Sequence, residues 1–123
     1  MQGLHLTADL RGCSPALPVM TDTAALRTLC VDAVRAVGLT PVGELFHRFD
    51  PTAGGSGITG VVLLAESHLA VHTWPELAAV TLDVYVCNFG ADNSHRADAL
   101  LQRLEQAFAA DTTQRQRIER GRA

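Results

Sequence analysis

The sequence predicts an α/β fold of the α+β type, a two-layer sandwich with a mainly antiparallel sheet and two helices on one face. Period-two alternation of apolar and polar residues marks the strands, and helical periodicity marks two segments. These segments follow each other in the order β-α-β-β-β-α-β. The chain has 123 residues, 47% of them hydrophobic, so we expect one domain over residues 1–123 with its own core.

The first half of the chain provides a strand, a helix and a second strand. GLHLTADL alternates apolar and polar residues, as a strand with one buried face does. After the turn-rich RGCSPALP, the segment TDTAALRTLCVDAVRAVG is typical of an amphipathic helix. Thr21 or Asp22 can cap its start, and Gly38 follows its last turn. VGELFHRFD then indicates a strand.

The second half provides strands and then a helix. PTAGGSG predicts a flexible loop, GITGVVLLA a strand, and HLAVHTW a shorter extended piece. AAVTLDVYVCNF predicts a long strand. One face of this strand carries Leu82, Val84 and Val86, and the other carries Asp83, Tyr85 and Cys87. ADNSHRADALLQRLEQAFAA predicts a helix capped by Asp92 or Asn93, and TTQRQRIERGRA predicts an edge strand.

Composition narrows the classes of partner and compartment. The net charge of −3 gives no reason to expect nucleic acid. No apolar run approaches the roughly 18 residues of a membrane span, so we expect no membrane partner. The N-terminal MQGLHLTADLRG has no basic segment followed by an apolar run. We therefore expect a cytoplasmic protein whose cysteines, Cys13, Cys30 and Cys87, are free thiols.

Two ligand-binding motifs are suggested by the sequence and not favoured by their context. GGSGITG is glycine-rich like a phosphate-binding loop, but it lacks the Gly-Lys-Ser/Thr ending and precedes a strand. His68 and His72 have the spacing of a helical zinc pair, yet in a strand they would lie about 13 Å apart. We therefore expect no bound metal.

Polar residues at the end of the most hydrophobic segment indicate a reactive site. Ser67 lacks the glycine flanks of a hydrolase nucleophile elbow. A thiol–imidazole pair of Cys87 and His72 remains open on chemical grounds. The residues alone favour a site near Ser67, His72 and Cys87, and they do not name a reaction.

A longer block carries a resemblance to a known family. AESHLAVHTWPE and LDVYVCN, together with HRF at 47–49 and ERG at 119–121, resemble the prokaryotic S-adenosylmethionine decarboxylase proenzymes. These enzymes depend on a pyruvoyl group and act in spermidine biosynthesis. The motifs span nearly the whole chain, and the Glu-Ser-His-x-x-x-His-Thr-Trp-Pro-Glu block is long and specific.

The resemblance implies that the chain is a zymogen that cuts itself between Glu66 and Ser67. The products would be a β chain, residues 1–66, and an α chain, residues 67–123, in which Ser67 becomes the pyruvoyl cofactor. It makes His72 the base for this processing. It also makes Thr59 a helper hydroxyl, at a position where serine is usual.

The same resemblance implies how the substrate is held and decarboxylated. The pyruvoyl carbonyl would form a Schiff base with the amino group of S-adenosylmethionine, and Cys87 would donate the proton that replaces CO2. Phe49 and Trp74 would stack on the adenine, and Glu76 would bind the ribose. Phe49 and Glu76 would come from the partner subunit of a homodimer with active sites at its interface.

Some features depart from the family pattern and keep alternatives open. The loop DPTAGGSG is longer than usual, Asn88 follows Cys87 where glycine is typical, and the chain ends soon after ERG. A pyruvoyl-dependent decarboxylase of ornithine or arginine is one alternative, and an unprocessed, non-catalytic partner subunit is another. Phe49, Trp74 and Glu76 favour S-adenosylmethionine, since a linear amino acid has no adenine to stack and no ribose to bind.

Overall fold

Six strands form one antiparallel sheet within residues 2–50, 56–88 and 90–121, which are the residues that the computed structural model describes. In chain order they are β1 (Gly3–Arg11), β2 (Pro41–Arg48), β3 (Ile58–Leu64), β4 (Ser67–Trp74), β5 (Ala79–Cys87) and β6 (Thr112–Arg120). The order across the sheet is β2-β3-β4-β5-β1-β6. The helices are α1 (Pro18–Thr21), α2 (Thr23–Ala36) and α3 (Ser94–Phe108), and a 3-10 turn, Pro75–Leu77, joins β4 to β5.

The predicted fold class is confirmed, with one more strand than the predicted order contains. HLAVHTW is part of a full strand, β4, because β3 and β5 both pair with it along its length. With the short α1 included, the order of helices and strands is therefore β-α-α-β-β-β-β-α-β. The predicted glycine-rich loop PTAGGSG falls mainly on residues 51–55, which lie outside the described residues.

The helix starts show which of the possible caps the chain uses. Asp22 caps α2, because its Oδ1 accepts hydrogen bonds from the N–H groups of Ala24, at 2.9 Å, and Ala25, at 3.4 Å. Asn93 occupies the N-cap position of α3 without a capping side-chain bond. The Ser94 N–H donates instead to Asp92 Oδ1 at 2.9 Å, and this bond lowers the pKa of Asp92. The short α1 begins at Pro18, the last residue of the segment predicted as turn, at the first helical position, where proline is favoured.

The core lies between the sheet and the helices. It is built from the alternate residues of the central strands and the inner sides of the helices, among them Leu4, Leu6, Ile58, Val62, Leu69, Val71, Leu82, Val84, Leu26, Val34, Leu100, Leu101 and Phe108. Thr73 is a buried polar residue among them, and its hydroxyl donates to the Met20 carbonyl at 2.8 Å. The same hydroxyl accepts from the Ile58 N–H at 2.9 Å, so this buried group is satisfied.

The opposite face of the sheet is open in the part of the chain that the structure describes. By strand register it carries four of the five histidines, His5, His47, His68 and His72. It also presents large apolar side chains that are strongly exposed, Leu45, Leu63, Trp74 and Ile118. Exposed apolar groups beside titratable ones are typical of an interface or a functional surface. We call this surface the open face.

No helix among the described residues has both the length and the apolar character needed to cross a membrane.

Candidate active site

The turn between β3 and β4 is strained at the residue that follows it. Leu64 pairs with Ser67, so Ala65 and Glu66 form a two-residue hairpin loop. Such loops favour glycine or asparagine, which accept positive φ. Neither occurs here, and the positive φ falls on Ser67, at 149°. A residue with a side chain in such a conformation costs about 1–3 kcal/mol and persists only when its surroundings impose it.

Three hydrogen bonds from two other segments hold this turn. The Cys87 N–H donates to the Glu66 carbonyl at 2.7 Å, and the Ala65 N–H donates to the Thr40 carbonyl at 2.9 Å. The Thr40 N–H donates to Glu66 Oε1 at 3.0 Å. The peptide unit between Glu66 and Ser67 is therefore held at its carbonyl oxygen and through the Glu66 side chain.

Cys87 lies half-buried at the end of β5, and a polar network fixes the backbone around it. The buried Asn93 amide donates to the Cys87 carbonyl at 2.9 Å. The Asn93 N–H donates to Asn88 Oδ1 at 2.9 Å, and the Asn88 amide donates to Ser94 Oγ at 3.1 Å. Asn88 thus ties the end of β5 to the start of α3.

The other two cysteines lie in the core and away from this site. Burial raises the pKa of the Cys30 thiol to about 12. Burial and the nearby Asp111 carboxylate raise the pKa of Cys13. Both thiols therefore remain protonated near neutral pH, as expected of structural cysteines.

His72 belongs to a second group of residues, further along β4. It lies between Thr59 of β3 and Thr81 of β5 in one row across the sheet. Thr59 Oγ1 and His72 Nδ1 are 3.2 Å apart. If Nδ1 carries the proton and donates to the hydroxyl, Nε2 keeps its lone pair and can act as a base.

The two groups are too far apart to meet within one chain. His72 lies five positions after Ser67 on β4, which corresponds to about 16 Å along a strand. His72 pairs with Thr81, six residues before Cys87 on β5, so roughly 20 Å separates His72 from Cys87. The thiol–imidazole pair that the sequence left open is therefore not formed within one chain.

The predicted substrate-binding residues lie near the His72 group. Trp74 follows it at the end of β4, is 42% exposed, and its ring centroid is 6.5 Å from that of His72. Phe49 continues the line of β2, is 49% exposed, and meets the His47 ring edge-on at 5.0 Å. Glu76 is exposed in the 3-10 turn after Trp74.

Other residues of the site have little signal in the sequence. Thr40 acts through its backbone, which leaves no residue-type signal. The sequence predicts Asn93 only as a helix cap. A glycine inside a strand does signal a close approach, and at Gly3 a Cβ would lie 2.8 Å from the Tyr85 ring. Tyr85 also lies beneath the Arg120 guanidinium, 5.3 Å from its centroid, on the same side of the sheet as Cys87.

Comparison with known proteins identifies the family. The family model described as S-adenosylmethionine decarboxylase matches residues 4–121. The chain belongs to the S-adenosylmethionine decarboxylase family. The crystal structure of the adenosylmethionine decarboxylase from Aquifex aeolicus has a TM-score of 0.86, with 33% sequence identity over 98% of this chain and 92% of that chain. The resemblance drawn from the sequence motifs is thereby confirmed.

Curated relatives carry the same family name. The S-adenosylmethionine decarboxylase proenzyme of Pyrococcus furiosus is 34% identical over 107 residues, which cover 87% of this chain and 73% of that protein. The proenzyme of Thermodesulfovibrio yellowstonii is 39% identical over 85 residues, which cover 69% of this chain and 58% of that protein. The matched part of this chain therefore spans less than two thirds of the second relative.

Proposed function

We propose that this chain is a self-processing, pyruvoyl-dependent decarboxylase that converts S-adenosylmethionine to S-adenosylmethioninamine and CO2 for spermidine biosynthesis. It would cut itself between Glu66 and Ser67 into a β chain, residues 1–66, and an α chain, residues 67–123. One observation carries the proposal. In this member of the family, the strained Ser67 directly follows the Glu66 carbonyl, which already accepts a hydrogen bond from the Cys87 N–H.

The first step is an exchange of an amide for an ester. Ser67 Oγ attacks the Glu66 carbonyl carbon, and the carbonyl oxygen gains negative charge. The Cys87 N–H, 2.7 Å from that oxygen, is placed to stabilise the charge as an oxyanion-hole donor does. The C–N bond then breaks, the nitrogen takes up a proton, and the strain at Ser67 is released.

The second step removes the ester and creates the cofactor. A base takes the Cα proton of Ser67, the Cβ–Oγ bond breaks, and Glu66 leaves as a carboxylate. The dehydroalanine left at position 67 tautomerises to an imine, which water hydrolyses to a pyruvoyl group and ammonia. Serine is required because its β-oxygen is the leaving group in this elimination.

His72 supplies the base from a second copy of the chain. Because about 16 Å separates it from Ser67 along β4, it cannot reach the Ser67 of its own chain. A homodimer formed through the open faces would bring the His72 of one copy to the Ser67 of the other. Twofold symmetry then makes two equivalent sites, since contacts in such an interface are reciprocal.

Thr59 orients this base. When His72 Nδ1–H donates to the Thr59 hydroxyl, Nε2 is the nitrogen that can take a proton. Threonine keeps the hydroxyl that the family's usual serine provides. The methyl group of threonine adds bulk beside the imidazole.

The processed enzyme uses other side chains of the same surface. The pyruvoyl group supplies a carbonyl that can condense with the substrate amine and accept the electrons released as CO2 leaves. Cys87 would give a proton to the substrate α-carbon, since a thiol is a competent acid near neutral pH. Phe49 and Trp74 would stack on the adenine, with Glu76 accepting hydrogen bonds from the ribose.

These side chains favour S-adenosylmethionine over ornithine and arginine. Two exposed aromatic rings and a carboxylate suit a nucleoside. Phe49 and Glu76 would be supplied across the dimer interface, together with Trp74, which lies between His72 and Glu76 in the chain. The curated relatives are named S-adenosylmethionine decarboxylase proenzymes, in agreement with this substrate.

The intact mass of freshly purified protein tests self-cleavage. For wild type we expect two chains, one that ends at Glu66 and one that begins at position 67 with a blocked N-terminus. For Ser67→Ala we expect a single uncut chain. Release of labelled CO2 should occur with S-adenosylmethionine and not with ornithine or arginine. A wild-type chain that stays whole and inactive would instead fit the non-catalytic partner subunit.

A further inference from the structure

We infer that the Glu66 side chain is a positioning residue for self-cleavage, which clamps the scissile peptide through the backbone of Thr40. The inference rests on the proposed function and adds a second role to Glu66, beyond supplying the attacked carbonyl. We call the two hydrogen bonds between Thr40 and the Ala65–Glu66 turn the Thr40 clamp.

The clamp is reciprocal and has a rigid base. Thr40 accepts from the Ala65 N–H at 2.9 Å through its carbonyl and donates to Glu66 Oε1 at 3.0 Å through its N–H. The residue before it, Leu39, is 3% exposed, and its N–H donates to the Val34 carbonyl at 3.1 Å. Thr40 is thus fixed to the end of α2 and the core, and it can hold the turn in place.

The turn needs this external hold because its own sequence does not favour it. Ala65 and Glu66 lack the preference for positive φ that stabilises two-residue hairpin loops. The unfavourable conformation falls on Ser67, at φ 149°, and must be maintained by neighbouring contacts. Without the Glu66 bond, Ser67 can relax and the Glu66 carbonyl can turn away from the Cys87 N–H.

The clamp matters for the reaction through geometry. Attack of Ser67 Oγ requires a near-attack arrangement in which the reacting atoms are held about 3–3.5 Å apart. The Thr40 clamp holds the Ala65 N–H and the Glu66 side chain, and the Cys87 N–H holds the Glu66 carbonyl of the scissile peptide. Loss of the side-chain bond therefore lowers the fraction of molecules that are ready to react.

The clamp requires an acceptor oxygen and does not require a charge. Glu66→Gln keeps an Oε1 that can accept from the Thr40 N–H, whereas Glu66→Ala removes it. A role for the negative charge of Glu66 would affect both variants alike. The pair of substitutions therefore separates the clamp from an electrostatic role.

The experiment follows self-cleavage over time in wild type, Glu66→Ala and Glu66→Gln. We expect Glu66→Ala to cleave roughly tenfold more slowly. This factor is at the lower end of the range for losing a hydrogen bond to a charged group, because the bond between Thr40 and Glu66 is exposed. Glu66→Gln should stay within about threefold of wild type, as a neutral hydrogen bond is weaker. Hydroxylamine, which cleaves esters, should trap less ester in Glu66→Ala, because the clamp acts on the first step.

Controls separate the clamp from folding and from the proposed function. Thermal unfolding of Ser67→Ala with and without Glu66→Ala measures the effect on the uncut fold, where we expect a small change. Glu105→Ala removes a carboxylate bonded to Arg115 at 2.7 and 3.1 Å, and it should leave the cleavage rate unchanged. Cleavage of Glu66→Ala at the wild-type rate, or of Glu66→Gln as slowly as Glu66→Ala, overturns the inference. An uncut wild-type chain overturns the proposed function instead.

Discussion

The two ends of strand β4 differ in how they prepare for chemistry. At the Ser67 end, the backbone is strained, and the Glu66 carbonyl and side chain are each held by a backbone N–H from a distant segment. At the His72 end, the strand is regular, and the reactive features are side chains: an imidazole beside a hydroxyl and an exposed tryptophan. One end prepares a bond to be broken, and the other provides the groups that act on it.

The comparison shows that neither end is a complete site. The Ser67 end has the scissile bond and the Cys87 thiol, and the His72 end has the base and the aromatic surface. Their separation of about 16 Å along one strand keeps them apart in a single chain. Substitutions at either end should therefore impair self-cleavage or turnover, depending on the residue that is changed.

Among substitutions that keep Ser67, the largest effect is expected at the regular end, for His72→Ala. Loss of the base should slow self-cleavage by about a thousandfold, within the range of general-base contributions. The uncut chain should be the main species on a denaturing gel. His95→Ala, on an exposed position of α3, is the matched control and should cleave like wild type. Normal cleavage of His72→Ala would show that this end takes no part in processing.

A somewhat smaller effect is expected at the strained end, for Cys87→Ala. The Cys87 N–H remains in this variant, so self-cleavage should proceed near the wild-type rate. Decarboxylation per cut chain should fall by about a hundredfold, because the thiol is the proton donor. Cleavage and CO2 release measured on the same sample separate the two steps. Turnover equal to wild type would remove Cys87 as the donor.

Trp74→Ala should change substrate binding and leave cleavage intact. Loss of a stacking surface costs about 1–3 kcal/mol per base, so KM should rise about tenfold while kcat changes less. Leu77→Ala, at a neighbouring exposed position, should leave KM unchanged. An unchanged KM in Trp74→Ala would place the adenine elsewhere.

The smallest effect is expected for the hydroxyl beside the base. Thr59→Val keeps the shape and removes the partner of His72 Nδ1, so cleavage should slow by about fivefold, as for one neutral hydrogen bond. Thr59→Ser should cleave at least as fast as wild type. Thr81→Val, on the other side of His72, should have no effect. Equal rates for Thr59→Val and wild type would exclude the tautomer role.

Much of the fold could be predicted from the sequence because local patterns determine it. Period-two alternation in β1 and β5 and the helical stripes of α2 and α3 match the faces that the structure buries. The sequence predicts only a short extended piece at β4, because its residues alternate less clearly between apolar and polar. It does not predict the short α1, because a single turn has too few residues for periodicity.

The candidate site was predictable only in part. Ser67, His72 and Cys87 stand out by residue type and by their place in the family motif. Their grouping into two separate halves depends on the register of β4 against its neighbours, which residue types do not encode. The hold on Glu66 depends on backbone groups of Thr40 and Cys87, and any residue but proline carries such an N–H.

A mixed dimer tests most directly whether two copies complete one site. Chains carrying Ser67→Ala and His72→Ala, with different affinity tags, would be produced together and purified through both tags. The His72→Ala chain keeps Ser67, and the Ser67→Ala chain keeps the base. We predict that the His72→Ala chain is cut in the mixed dimer and remains whole when produced alone. A mixed dimer in which both chains stay whole, or the failure of the two chains to purify together, would contradict the account.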